Sequence, residues 1–321
     1  MQWYVGKRIL ITGGAGYLAT ALVRVLEHLN CYITRLDKPG AIFPPITSVA
    51  PVEDLTGDVR ERSTWERALV DIDLVFHFAA QTSVYVANEN PLADLNSNVI
   101  PMLHLLETCR QHGWQPAVLF ASTVTVAGIP TRLPVDETHP DNPITVYDLH
   151  KLMAEQYLKY FVSQGIVRGT ILRLANVYGP GPKSSSPDRG ILNLMIRRAL
   201  AGEPLTVYKP GDRLRDYVFI EDITWAFVKA ARNVAAVNGQ HSIISSGQGH
   251  TINQAINLVV DRVALKTGRR VIISCVDPPS PQSPIEARNF VGDSRQFSQA
   301  TGWRASYQLA EGIDRTVEAF L

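Results

Sequence analysis

At 321 residues, with 45% hydrophobic and 19% charged residues, the chain can bury one large α/β core, alone or with a smaller companion domain. Thirty-one basic residues against thirty acidic ones leave a formal charge of +1, so no overall field draws it to nucleic acid or an anionic membrane, and any bound anion is held locally. Cys31, Cys109 and Cys275 are widely separated with no zinc-ligand spacing, and no run of about eighteen apolar residues is present, which argues against a metal site or a membrane span and for a reducing, cytoplasmic setting.

Taken in chain order, apolar runs of strand length alternate with segments of helical period through the first half. Strands are expected near 7–12, 31–36, 51–55, 73–78, 117–122 and 167–174, with helices between most of them. The first apolar run is too short for a signal-peptide core and leads straight into a glycine turn. This is the pattern of an α/β protein with a Rossmann-type, doubly wound parallel sheet. From Pro91 to His112 the residues Leu95, Val99, Met102, Leu103 and Leu106 share one broad helical face, and a further helix is expected over 145–163. Beyond 176 a stretch rich in Gly, Pro and Ser, 178–187, reads as a loop over a site or a domain border. A helix near 190–201, a strand at 205–208, helices near 220–235 and 252–266, and a proline-rich loop at 277–284 complete a smaller C-terminal α/β part.

The first strand ends in Thr12-Gly13-Gly14-Ala15-Gly16-Tyr17-Leu18-Ala19, which fits G-x-G-x-x-G/A from Gly14 and G-x-x-G-x-x-A from Gly13. Such glycines allow backbone amides to approach a pyrophosphate at the positive end of the next helix. Asp37 stands at the end of the second strand, about twenty residues on, where a carboxylate accepts from an adenosine ribose and repels a 2′-phosphate. That favours NAD over NADP, although Arg35 and Lys38 leave room for a phosphate. Asp58, in Gly57-Asp58-Val59, either faces an adenine or is a surface aspartate.

Tyr147 and Lys151 lie at i and i+4, on one helix face. A phenol ionises near 10, so an adjacent ammonium is needed to make its proton transferable at neutral pH. Ser122-Thr123 closes the fifth strand at the carboxyl edge, where open α/β sheets bind ligands, and a hydroxyl there can share a sugar's proton with Tyr147.

With Gly57-Asp-Val-Arg60, His77-Phe-Ala-Ala-Gln81, Asn98-Val99, Arg173-Leu-Ala-Asn-Val-Tyr-Gly-Pro180, Leu205-Thr-Val-Tyr208 and Arg215-Asp-Tyr-Val-Phe-Ile220 added, the chain resembles the extended short-chain dehydrogenase/reductase family along almost its whole length. The branch it resembles is that of the nucleotide-sugar epimerases and dehydratases, of the UDP-glucose 4-epimerase type. The resemblance implies NAD as cofactor, Thr123, Tyr147 and Lys151 as the catalytic set, and Lys151 also on the nicotinamide ribose. It implies cofactor contacts from Gly13, Gly16, Tyr17, Leu18, Asp37, Asp58, Val59, Ala79 and Ala80. Asn176 and Arg215 match positions that bind the diphosphate of a nucleotide-linked sugar, and Val207 and Tyr208 positions that hold its nucleoside. A structural alternative for Arg215 is an ion pair with Asp212 or Asp216. An NAD-binding domain over 1–175, rejoined by about 212–245, and a substrate domain over 176–321 follow, as does a homodimer built on the helices near 91–112 and 145–163.

Three reactions use this machinery. Dehydration needs an acid and a base beside the Ser/Thr, and Val124-Thr125-Val126 has no carboxylate, so it is disfavoured. Tightly held NAD suits a closed hydride cycle, hence 4-epimerisation, with reduction of a nucleotide-linked 4-keto sugar as the alternative. A non-catalytic dinucleotide sensor is disfavoured because Thr123, Tyr147 and Lys151 are all kept. Departures from the family pattern are Ala127 where Tyr is frequent, His150 where Ser is frequent, as packing or as a proton route, and a segment 278–286 without an Arg-x-Gly-Asp element, for which Arg288 is a candidate replacement.

Overall fold

The structure, a computed structural model, describes residues 2–46, 48–182, 190–278 and 284–321. Half of the expected loop at 178–187 and much of that at 277–284 therefore lie outside the described residues.

The first half lays down β1 (Arg8–Thr12), α1 (Tyr17–Leu26), β2 (Tyr32–Asp37), β3 (Val52–Thr56), α2 (Arg62–Ala68), β4 (Leu74–His77), α3 (Val84–Glu89), α4 (Pro91–Asn98), α5 (Ile100–His112), β5 (Ala117–Thr123), α6 (Val146–Ser163) and β6 (Arg168–Leu174). The second adds β7 (Asn176–Tyr178), α7 (Ile191–Leu200), β8 (Leu205–Tyr208), β9 (Leu214–Phe219), α8 (Ile220–Arg232), β10 (His241–Ile244), β11 (Gly249–Thr251), α9 (Ile252–Thr267), β12 (Ile273–Val276), α10 (Arg295–Thr301) and α11 (Leu309–Phe320). Seven strands form a wholly parallel sheet in the order β10-β6-β5-β4-β1-β2-β3. The order reverses direction at β1, so the carboxyl ends of β1, β4 and β5 open on the crevice where such sheets bind ligands.

Side chains alternate across the central strands, and each face buries its own apolar cluster. Ile9, Ile11, Phe76, Leu119 and Phe227 pack on one face with α1 and α8; Leu10, Val75, Val118 and Phe120 pack on the other with α2, α5 and α6. This two-sided burial is why the strands read as unbroken apolar runs. A second core joins α7, α9 and α11 to β8 and β9 through Ile196, Val207, Phe219, Val259 and Ile313. Leu18 and Val177 pack against both cores and join them.

The single helix expected over 91–112 is two. Pro101 has no N–H to continue the ladder from α4, and α5 restarts around it. In α4 the buried side chains are the polar Asp94 and Asn98, not an apolar stripe. The sequence reading did not resolve β7, β9 to β12, α3, α10 or α11. These five strands are three to six residues long, too short for alternation to register.

Phe227 is 1% exposed and meets Phe78 and Phe76 edge-on at 4.7 and 6.1 Å. Phe227→Ala should cost about 3–5 kcal/mol in urea-unfolding measurements, with the slope of the transition unchanged.

Candidate active site

The turn after β1 is packed so tightly from below that only glycine fits. Gly13 has φ +68°, and a Cβ there would lie 3.0 Å from the amide nitrogen of Ala79; one on Gly14 would lie 2.7 Å from Arg35 Cβ. Gly16 caps α1 in an extended conformation and donates its N–H to the Gly13 carbonyl at 2.8 Å. The turn is braced by Asp37, whose carboxylate accepts the N–H groups of Ala15 at 3.0 Å and Lys38 at 2.8 Å. The first amides of α1 and its positive end thus face the crevice mouth beside a carboxylate, a donor and acceptor set that fits the pyrophosphate and ribose of a dinucleotide. Arg35 does not offer itself to a 2′-phosphate. It is 4% exposed, grips both oxygens of Asp54 at 2.6 and 2.8 Å, donates to the Pro44 carbonyl, and lies over the Phe43 ring. These residues fit NAD.

Thr12 joins this turn to the exit of β4. Its hydroxyl accepts the N–H groups of Phe78 and Ala79, both at 3.1 Å, and lies 2.8 Å from His77 Nδ1. With both lone pairs filled, the hydroxyl proton goes to Nδ1, so the His77 ring carries its own proton on Nε2. Burial, and then the positive charge of Lys151, push the His77 pKa down to about 3 and keep the ring neutral.

Two expected cofactor residues have mainly structural surroundings. Tyr17 turns its hydroxyl to the Gly179 carbonyl at 2.9 Å, accepts from Asn193 at 3.3 Å, and lays its ring against Gly181. Leu18 sits between the two cores. At the exit of β3, Asp58 is paired with Arg60, whose guanidinium holds the carboxyl below its usual range, and the Val59 carbonyl accepts Trp65 Nε1 at 2.7 Å.

The chemical edge is built by β5 and α6. Thr145 caps the helix by accepting the Asp148 amide, which starts α6 so that its first turns lie along the end of β5. Lys151, 3% exposed, holds its ammonium 4.1 Å from the centre of the Phe120 ring, which stacks on His77. Tyr147 is buried against Val84, Ala87 and Ile285. The two strand-end hydroxyls part company. Ser122 donates to Glu155, itself gripped by Arg173, while Thr123 lies 2.8 Å from the Thr125 hydroxyl, which donates to the fully buried Asp148. His150 bonds Asp94 at 2.7 Å, and Asp94 also accepts from Gln81 and Asn98 at 2.8 and 2.9 Å. His150 thereby helps to fix the segment that follows β4.

In the second lobe the side chains stand less as expected. Asn176 opens β7, half-buried, paired with Tyr217. Tyr208 is exposed, but Val207 is buried in the second core, so its side chain is not available to a nucleoside. Arg215 is buried and donates to the carbonyls of Glu286 at 3.0 Å, Arg288 and Leu214, so the free fork expected for a diphosphate is already holding the 286–288 backbone. Its carboxylate neighbour is Glu286 at 3.7 Å, neither Asp212 nor Asp216; Asp216 instead accepts the amides of Ser246, Gly247 and Gly292. Arg288 is buried, with its guanidinium carbon 5.6 Å from the centre of the Phe290 ring. Sequence reasoning passed over Thr12, Asp94, Thr125 and Asp148. Thr12 had a signal, as the hydroxyl between the strand and the first glycine; the others are brought in by folding.

Comparison with known proteins follows the same lines. The family model described as the NAD dependent epimerase/dehydratase family matches residues 9–245. A putative UDP-glucose 4-epimerase of Methanocaldococcus jannaschii is 29% identical over 96% of this chain and 97% of its own length. Among solved structures, the UDP-glucose 4-epimerase of Thermotoga maritima with UDP-glucose superposes with a TM-score of 0.86 at 27% identity, covering 98% of both chains. That of Thermus thermophilus in complex with NAD gives 0.83 at 28% identity, again over 98% of both.

Two outcomes test this geometry. Thr12→Val leaves two amides and a ring nitrogen without their shared partner and should cost about 1–3 kcal/mol of stability while weakening dinucleotide binding, read by chemical unfolding and calorimetry. Because an unfolded histidine takes up a proton near pH 6.5 and folded His77 does not until about 3, its contribution is full above the unfolded value and lost as pH falls through that window. His77→Asn should therefore show a shallower loss of stability between pH 7 and 5 than the parent.

Proposed function

Since the chain belongs to the NAD dependent epimerase/dehydratase family, we propose that it epimerises a nucleotide-linked sugar at C4. The observation that carries this reading is the meeting, at one sheet edge, of a glycine turn shaped for a dinucleotide, the buried Lys151 ammonium and the Thr123 hydroxyl. NAD held at the glycine turn would supply the hydride acceptor and donor for the sugar carbon, and inversion would follow if the 4-keto sugar turned between the two transfers.

The chain's own residues manage the proton and the orientation. Tyr147 takes the proton from the sugar hydroxyl as the hydride leaves and gives it back as the hydride returns. Lys151 favours the phenolate by its charge and holds the nicotinamide ribose; Thr123 orients the reacting sugar oxygen. Gly13, Gly16 and the start of α1 hold the pyrophosphate, Asp37 the adenosine ribose, and Asp58, Val59, Ala79 and Ala80 flank the dinucleotide.

Residues 1–175, with 212–245, serve the cofactor in this reading, and 176–321 mainly the nucleotide sugar. Asn176 and Tyr208 contact the latter, and Arg215 shapes the pocket through the 286–288 backbone it holds. Exposed Leu92 on α4 and Leu149 and Tyr160 on α6 support a homodimer on these helices, for which light scattering should give twice the chain mass.

The protein purified without added cofactor should release near-stoichiometric NAD on denaturation and convert one UDP-, dTDP-, GDP- or CDP-sugar into a product of equal mass. Empty protein that instead consumes NADPH with a 4-keto sugar would make it the reductase. Tyr147→Phe should lower turnover at least about a hundredfold with NAD still bound, and unchanged turnover would remove Tyr147 from the mechanism.

A further inference from the structure

The register of three parallel strands puts Thr12, His77 and Phe120 in one row near the carboxyl edge of the sheet, Thr12 opposite His77 on β1 and β4 and His77 opposite Phe120 on β4 and β5. The Thr12 hydroxyl bonds His77 Nδ1 at 2.8 Å, and the His77 ring stacks on Phe120 with centres 5.7 Å apart and planes 22° apart. Trp65 of α2 meets the His77 ring edge-on at 5.6 Å, and Phe120, 1% exposed, shares a buried cluster with Ala154 and Leu158 of α6. The row is thus fixed from both sides before it meets Lys151. That ammonium lies 4.1 Å from the centre of the Phe120 ring. A ring face attracts a cation within about 6 Å, and more strongly where water is excluded. Glu155, one helical turn beyond Lys151, has its oxygens turned to Ser122 and Arg173. His77, the ring's other neighbour, is kept neutral by burial and then by the Lys151 charge, so it adds no second positive charge.

We propose that Phe120 is a positioning residue, whose ring face holds the Lys151 ammonium at the sheet edge without neutralising it. This rests on the reading of Lys151 as the cation that favours the Tyr147 phenolate and holds the nicotinamide ribose, and it adds to that reading a residue outside the catalytic set. The reason for a ring lies in charge balance. A carboxylate beside the ammonium would hold it more strongly, but would cancel most of the field that Lys151 exerts on the phenol one helical turn away. An aromatic face carries no net charge, so the field survives. An aliphatic side chain would remove that support from a buried charge, and the flexible lysine stem has other rotamers that withdraw the ammonium from the edge. The loss falls on the chemical step more than on binding of the nucleotide sugar, because in this reading Lys151 acts on the phenol and the cofactor.

The test grades the ring face while keeping its shape. Phe120 is replaced in turn by 4-fluoro-, 3,5-difluoro- and 3,4,5-trifluorophenylalanine, each added fluorine drawing electron density from the face and weakening its hold on a cation. The proposal expects kcat to fall stepwise along the series, to about tenfold below the parent at three fluorines, with KM for the nucleotide sugar within about threefold. The same series in a Lys151→Met background, read as the urea-unfolding midpoint, reports whether the fluorines act through the ammonium. The midpoint should fall stepwise in the parent background and stay level in Lys151→Met, which keeps an apolar stem and carries no charge. Equal shifts in both backgrounds mean that fluorine disturbs packing alone, and that result overturns the proposal. So does a kcat that is flat along the series while the parent turns over a nucleotide sugar, in which case the reading of the site stands. A parent protein that binds NAD and turns over no nucleotide sugar overturns that reading and the proposal with it, and the two failures are thereby told apart.

Discussion

One hydroxyl organises the crevice. Thr12 ends β1, and by accepting two amides from the chain leaving β4 while donating to His77, it fixes the spacing between the glycine turn and the Ala79-Ala80 segment. The close approach of Gly13 to Ala79 follows from that spacing, and so does the demand for a residue without a Cβ. His77, kept neutral by burial and by the positive charge of Lys151, stacks on Phe120, and the Lys151 ammonium lies 4.1 Å from the centre of that Phe120 ring. A neutral ring is what permits a buried lysine to stand there, since a second positive charge in the same low-dielectric space would be strongly unfavourable. The cofactor edge and the proton-handling edge are consecutive links of one chain of contacts.

Charged groups elsewhere in the core serve to keep hydroxyls and amides in their places. Arg173 bridges Asp141 and Glu155, and Glu155 takes the Ser122 proton, which leaves Thr123 as the strand-end hydroxyl turned to the other side. Asp94 gathers His150, Gln81 and Asn98 under the segment after β4. A buried ion pair adds little net stability when set against a well-packed apolar substitute. Its contribution here is to make alternative arrangements of a polar edge costly, since each would strand a charge.

The sheet and the cofactor turn were legible in the sequence because they obey local rules. Parallel strands buried on both faces read as apolar runs, and Gly13 to Ala19 with Asp37 is a spacing that backbone geometry dictates. The helix break at Pro101 was also written in the chain, but the apolar face spanning 95–106 masked it. What could not be read was any contact between residues distant in sequence that depends on how a side chain turns. Val207 alternates inward in a four-residue strand too short to reveal its phase. Arg215 was expected from its family position to meet phosphate, and it was the fold that delivered three carbonyls to it. Likewise the absence of a carboxylate beside Thr123 held true along the chain and failed in space, because α6 supplies Asp148.

Tyr17 carries a mechanical consequence. It belongs to the first turn of α1, immediately after the dinucleotide glycines, yet its hydroxyl and ring are anchored on Gly179, Gly181 and Asn193 of the other lobe. A seam riveted at that point resists the clamshell opening by which many two-lobed proteins admit their ligands. A dinucleotide held at the glycine turn would have to leave without the two cores parting at that rivet.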